Sequence, residues 1–163
     1  MQGKIVELKK ALSAGAYVDV RDEKVGNTPL IWAASNGHLE VVQALLKSNA
    51  DIEGKSRDGN KTPLLTASYA GQLGIVNFLL SKGAAVDNRN VRGDTALSVA
   101  AYAGYVDIVR LLLSRRANVE VQTRKNRFTA LHFASFKGHR SIVQLLIESG
   151  AKVNALESAG KTG

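Results

Sequence analysis

The three histidines, His38, His132 and His139, are the side chains best suited to proton transfer or metal ligation near neutral pH. Their surroundings do not support either chemistry. No acidic residue recurs beside them as a dyad partner, and the sequence contains no C-x-x-C or H-E-x-x-H spacing. Cysteine is absent, which removes thiolate nucleophiles, disulfides and cysteine-based metal sites, and is simplest to reconcile with an intracellular setting, cytoplasmic or nuclear. The ending Ala159-Gly160-Lys161-Thr162 has the form of the tail of a phosphate-binding loop. That loop needs a further Gly at the position held by Ala155, and no strand-to-helix pattern surrounds it. No catalytic activity, cofactor or metal is expected.

A second kind of chemistry is recognition. Tyr69, Tyr102 and Phe136 follow one another at nearly constant spacing, and aromatic rings supply large contact area at low entropic cost. Basic residues gather in polar stretches: Lys55, Arg57 and Lys61, then Arg89 and Arg92, then Arg124, Lys125 and Arg127, followed by Phe128. Asp22, Glu23, Glu53, Asp58, Asp87 and Asp94 dilute them, mostly toward the N-terminal end. The net charge of +8 admits an acidic protein partner or a nucleic acid. Arg110, Arg115 and Arg116 fall in a different kind of segment, which argues against one continuous phosphate-tracking stripe. No apolar run approaches the roughly 18–20 residues of a membrane span, so membrane insertion is not expected.

The elements that carry these residues repeat. Thr28-Pro29-Leu30-Ile31-Trp32-Ala33-Ala34 returns in variant form from Thr62, Thr95 and Thr129, at intervals of 34, 33 and 34 residues. Threonine is a good N-cap, and proline at the next position loses no hydrogen bond there. The spacing therefore predicts a short helix from Thr28 to Asn36 and its three copies, broken in phase by Gly37, Gly71, Gly104 and Gly138. Second helices are predicted over 39–48, 73–81, 106–114 and 141–149, each with an apolar face such as Val41, Val42, Leu45 and Leu46. A further helix is predicted over 4–14. Asn49, Gly83, Arg116 and Gly150 share the phase of a left-handed helix stop. Arg116 is the exception in type, and predicts a strained or rewound helix end. Gly74, near the start of its helix, predicts a weaker repeat. No single unit can bury both faces of such a helix pair, whereas stacked units can.

The pattern G-x-T-P-L-x-x-A-A-x-x-G-H-x-x-V-V-x-L-L-x-x-G-A-x-V, written across these positions, closely resembles the ankyrin repeat over essentially the whole chain. The resemblance implies an all-α solenoid of stacked helix-turn-helix units joined by β-hairpin-like loops. It divides the chain into one domain, 1–163, with repeats at 19–52, 53–86, 87–119 and 120–153 and partial repeats at 1–18 and 154–163. It also implies structural roles for His38 and His139, in the family's G-H position, and for His132, in its T-x-L-H position. Three departures stand out. The loops before Thr28, Thr62 and Thr129 are one residue longer than in the 33-residue form. The family histidine is Ile31, Leu65 and Ser98 in the first three repeats, so the resemblance implies the inter-repeat hydrogen bond it supports at His132 and not at those three. The weakly polar Ala155, Leu156 and Ala159 suggest a segment cut from a longer array, or a short protein with frayed ends, either of which could associate end to end.

In such stacks the loops and first helices line a concave face, and the positions seven and eight past the threonine are exposed. These are Ser35 and Asn36, Tyr69 and Ala70, Tyr102 and Ala103, and Phe136 and Lys137. Trp32 and Phe133, four past their threonines, are expected in the core. The resemblance thus implies a non-catalytic protein-interaction scaffold. A partner peptide or domain would lie along Tyr69, Tyr102 and Phe136, while Lys61, Arg92, Arg124, Lys125, Arg127 and Phe128 meet an acidic segment of it. Nucleic-acid or phosphate binding by the basic face is the alternative, and an architectural spacer within a larger ankyrin-repeat protein is a third.

Overall fold

A computed structural model describes residue 15 and residues 17–153. The helix expected over 4–14 and the terminal Gly160-Lys161-Thr162 lie outside the described residues. Within them the chain forms eight helices and no strand. The helices alternate short and longer: α1 Pro29–Ser35, α2 Leu39–Lys47, α3 Pro63–Tyr69, α4 Leu73–Ser81, α5 Ala96–Ala103, α6 Val106–Ser114, α7 Ala130–Lys137 and α8 Arg140–Glu148. The second helices agree with the predicted spans to within one residue at each end.

Local chemistry starts each short helix as the sequence predicts. The Thr28 hydroxyl oxygen accepts from the Ile31 N–H at 3.3 Å, and Thr62 repeats this with Leu65. Pro29 and Pro63 occupy the first turn. Where the proline is missing, a second bond compensates. Ser98 Oγ accepts from the Thr95 N–H at 2.9 Å while Thr95 Oγ1 accepts from the Ser98 N–H at 3.2 Å. This reciprocal cap satisfies two amides that the helix itself leaves open.

The units then stack in two layers. Short helices α1, α3, α5 and α7 pack on one another in order, and each packs on the longer helix that follows it. Contacts between successive longer helices are sparser. The residue types explain the difference. Ala33, Ala34, Ala67, Ala100, Ala101 and Ala134 let the short helices approach closely. The longer helices carry Val42, Leu45, Val76, Leu79, Val109, Leu112 and Leu146, all essentially buried, and bulkier side chains hold their axes farther apart. One continuous apolar core runs through the stack.

Each longer helix ends the same way. In α6 the Ala117 N–H donates to the Leu112 carbonyl and the Arg116 N–H to the Leu113 carbonyl, as their counterparts do in the other three repeats. Arg116 is left-handed, with φ of 61°. The helix end is therefore strained at one residue and not rewound, because the two bonds and the burial of Ala117 hold the turn.

Candidate functional site

The loops that precede the threonines form four fingers in a row. Each closes on itself with a hairpin-like backbone bond: Asp22 N–H to the Asn27 carbonyl, Ser56 to Lys61, Asn90 to Asp94 and Thr123 to Phe128. The third bond spans one residue fewer, which places the additional residue of the longer loops inside the turn. Neighbouring fingers are joined directly. The Asp58 N–H donates to the Val25 carbonyl, Val91 to Gly59 and Arg124 to Arg92.

A second set of joints was not read from the sequence. Asp19, Glu53, Asp87 and Glu120, each at the start of a repeat, accept backbone N–H groups from the end of the same repeat, those of Asp51, Ala85, Asn118 and Lys152. These acids recur at nearly the repeat period, eight or nine residues before each threonine, and that periodicity is the signal that could have revealed them. The histidine-phase positions make a third set. Gln72 lies over Gly37, Tyr105 over Gly71 and His139 over Gly104, each against a glycine whose Cβ would collide with it. His139 Nε2 also lies 3.2 Å from the Tyr102 carbonyl. His132 Nδ1 is within reach of both the Thr129 N–H and its hydroxyl, at 3.2 and 2.8 Å.

Between the short helices and the fingers lies a cleft of about 900 Å³. Leu65, Thr66, Tyr69, Val99 and Tyr102 line it from the short helices, and residues of the second, third and fourth fingers line it from the other side. Eight of the twelve residues expected at a binding surface line it: Ser35, Lys61, Tyr69, Arg92, Tyr102, Arg124, Lys125 and Phe128. Asn36, Phe136, Lys137 and Arg127 do not. Asn36 turns its amide back onto the Trp32 carbonyl at 2.8 Å. Phe136 is 79% exposed on the last described short helix, outside the cleft. Lys137 places its ammonium 4.8 Å from the centre of the Tyr102 ring. Arg127 is exposed in a left-handed turn position, φ 54°.

Two residues expected in the core are on the open side. Trp32 is 48% exposed and Phe133 is half-buried in the cleft wall. The short helix buries positions two, three, five and six past its threonine: Leu30, Ile31, Ala33 and Ala34. Position four then shares the remaining face with position seven, three residues away. Phe133 takes the place in the cleft that was expected of Phe136. Its ring meets Tyr102 edge-on at 5.9 Å and Phe128 edge-on at 5.8 Å, and Phe128 stacks on His132 at 5.5 Å.

The electrostatics are uneven along the fingers. Lys61 pairs with Asp58 at 2.8 Å and Arg92 with Asp94 at 3.1 Å. Arg21 donates to the Lys55 carbonyl and Arg89 to the Gln122 carbonyl, so both tie one finger to the next. Asp22 accepts from the Val25, Lys24 and Asn27 amides and from the Trp32 indole N–H. The Val25 amide first, then the Trp32 indole and the other two amides, hold its carboxyl below the usual aspartate range. The Lys61 ammonium, helped by Ser56, does the same for Asp58. Among the described residues, no carboxylate pairs with Arg124, Lys125 or Arg127, and no group of three or more His, Asp or Glu is placed to hold a metal ion.

Stacked helix pairs with hydrogen-bonded fingers and a cleft on the short-helix side define a repeat-type binding scaffold. The family model described as ankyrin repeats (three copies) matches residues 1–90 and 84–157, and the chain belongs to the ankyrin repeat family. It is also similar to two Arabidopsis thaliana proteins. Acyl-CoA-binding domain-containing protein 2 is 40% identical over 50 residues, 31% of this chain and 14% of that protein. Acyl-CoA-binding domain-containing protein 1 is 43% identical over 49 residues, 30% of this chain and 14% of that protein. The chain thus spans about a seventh of the length of these curated relatives. Ankyrin repeats generally mediate protein–protein interaction. No described helix is long and apolar enough to cross a membrane.

Proposed function

We propose that the protein is a non-catalytic binding module that takes a segment of a partner protein into the cleft between its short helices and its fingers. The observation that carries this reading is the pair Tyr69 and Tyr102, 58% and 37% exposed, beside Leu65 and Val99 in a concave site. Aromatic rings held on rigid helices lose little entropy on binding, and a few such anchors supply most of an interface's affinity.

The basic balance gives less support to nucleic-acid binding. Arg21, Arg89, Lys61 and Arg92 already bond within or between fingers, so they form no continuous free stripe for a phosphate backbone. Replacing both rings, Tyr69→Ala with Tyr102→Ala, should abolish capture of protein partners from lysate while the helical circular-dichroism signal stays intact. Phe136→Ala should leave capture unchanged, since that ring lies outside the cleft. Full capture by the double variant overturns the reading.

A further inference from the structure

The charge on the fingers is not spread evenly once the bonded groups are set aside. The first finger carries Asp19, Asp22 and Glu23 against Arg21 and Lys24. The fourth carries Arg124, Lys125 and Arg127 against Glu120 alone, and Glu120 is occupied by the Lys152 amide. In the second and third fingers the cleft-lining cations, Lys61 and Arg92, already have carboxylate partners. Arg124 and Lys125 are therefore the cleft-lining cations that meet no carboxylate among the described residues. The backbone that carries them is held against the third finger. The Arg124 N–H donates to the Arg92 carbonyl at 2.8 Å, and Gly93 lets the fourth finger approach so closely that a Cβ there would lie 3.0 Å from the Arg124 nitrogen.

From this we infer that the cleft selects an extended protein segment that carries an apolar or aromatic anchor followed, at a set distance, by acidic side chains. This rests on the cleft reading above. The anchor seats against Tyr102, which its edge-to-face contact with Phe133 leaves 37% exposed. The acidic groups lie over Arg124 and Lys125, one repeat further along. Stacked helices lie about 8–10 Å apart, and an extended chain advances about 3.3 Å per residue. The acids therefore fall about three residues from the anchor. The opposite end of the segment runs toward the first finger, where Asp22 and Glu23 disfavour further acid. The Lys137 ammonium over the Tyr102 ring places a third cation, beyond Arg124 and Lys125, at the anchor's edge.

The test is selection of a random library of short displayed peptides on the full chain. Enriched peptides should pair a large apolar residue with Asp or Glu about three positions away, in either chain direction. Synthetic versions should bind about tenfold or more weakly to the Arg124→Glu, Lys125→Glu variant, and within about twofold of wild type to Lys47→Glu, Arg110→Glu, which changes net charge equally on the longer helices outside the cleft. Peptides that need Tyr102 but show no acidic enrichment, or that lose equal affinity in both charge variants, would sink this inference and leave the cleft reading standing. A selection that yields only peptides indifferent to Tyr102→Ala, or no binder, overturns both. An oligonucleotide that occupies the Arg124 rim and excludes the peptides overturns it in favour of a nucleic-acid ligand.

Discussion

Arg116 shows how a single residue can work against its repeat. Asn49 holds the same left-handed stop with a φ of 61°, and Gly83 and Gly150 hold it at 89° and 91°. A Cβ-bearing chain is disfavoured there, and asparagine less so because it bonds locally. Arg116→Gly should stabilise the protein by about 1 kcal/mol, read as a higher urea midpoint with an unchanged slope. Ser68 presents a different fault. It is fully buried, its hydroxyl has no hydrogen-bond partner among the described residues, and its counterparts in neighbouring repeats are Ala34 and Ala101. Ser68→Ala should therefore raise stability by about 1 kcal/mol, the approximate cost of an unpaired buried hydroxyl. Thermal unfolding of the two variants, alone and combined, would check both values, and additivity is expected because they lie in different repeats.

At the scale of elements, the fingers hold together through carboxylates that the sequence presents as mere dilution of positive charge. Glu53 accepts from the Ala85 N–H at 2.7 Å and from the Asn88 amide, so it bridges the second and third repeats. Glu53→Ala should lower stability by about 1 kcal/mol and broaden the unfolding transition, as expected when a nearest-neighbour joint in a stack is weakened. Asp22 makes a pH-dependent version of such a joint. Its folded pKa is lowered, so the native state binds fewer protons than the unfolded chain. The stabilisation is full above the ordinary aspartate pKa and is lost as pH falls through the lowered folded value. Trp32, the sole tryptophan, donates to this carboxylate at 3.0 Å and reports the event directly. An acid fluorescence titration should show a step below the usual carboxylate range, and Asp22→Asn should remove it.

The described repeats form a one-dimensional stack, because each helix pair packs on its neighbours in sequence. Leu112 is fully buried in an inner repeat, packed where units meet. Leu112→Ala should cost about 2–5 kcal/mol. It should also split denaturant unfolding into two phases, seen by comparing Trp32 fluorescence in the first repeat with far-ultraviolet circular dichroism of the whole stack. A single coincident transition would mean that coupling between repeats outweighs the cavity.

Much of this architecture was legible from residue type and period alone. Thr28, Pro29, Gly37 and their copies act through local chemistry, in capping, initiation and termination, and local chemistry repeats wherever the residues do. The candidate site was only partly legible. Counting from the threonine reaches Tyr69 and Tyr102, which line the cleft, and Phe136, which does not, while Phe133 does. Helical spacing puts positions four and seven on one face, but only the stacked neighbours decide which of two rings on that face is enclosed. The charges divide in the same way. Composition and spacing determine that the fingers are basic. Tertiary structure decides which cations are already spent, because a bond such as Arg89 to the Gln122 carbonyl joins groups 33 residues apart, brought together only when one repeat settles on the next.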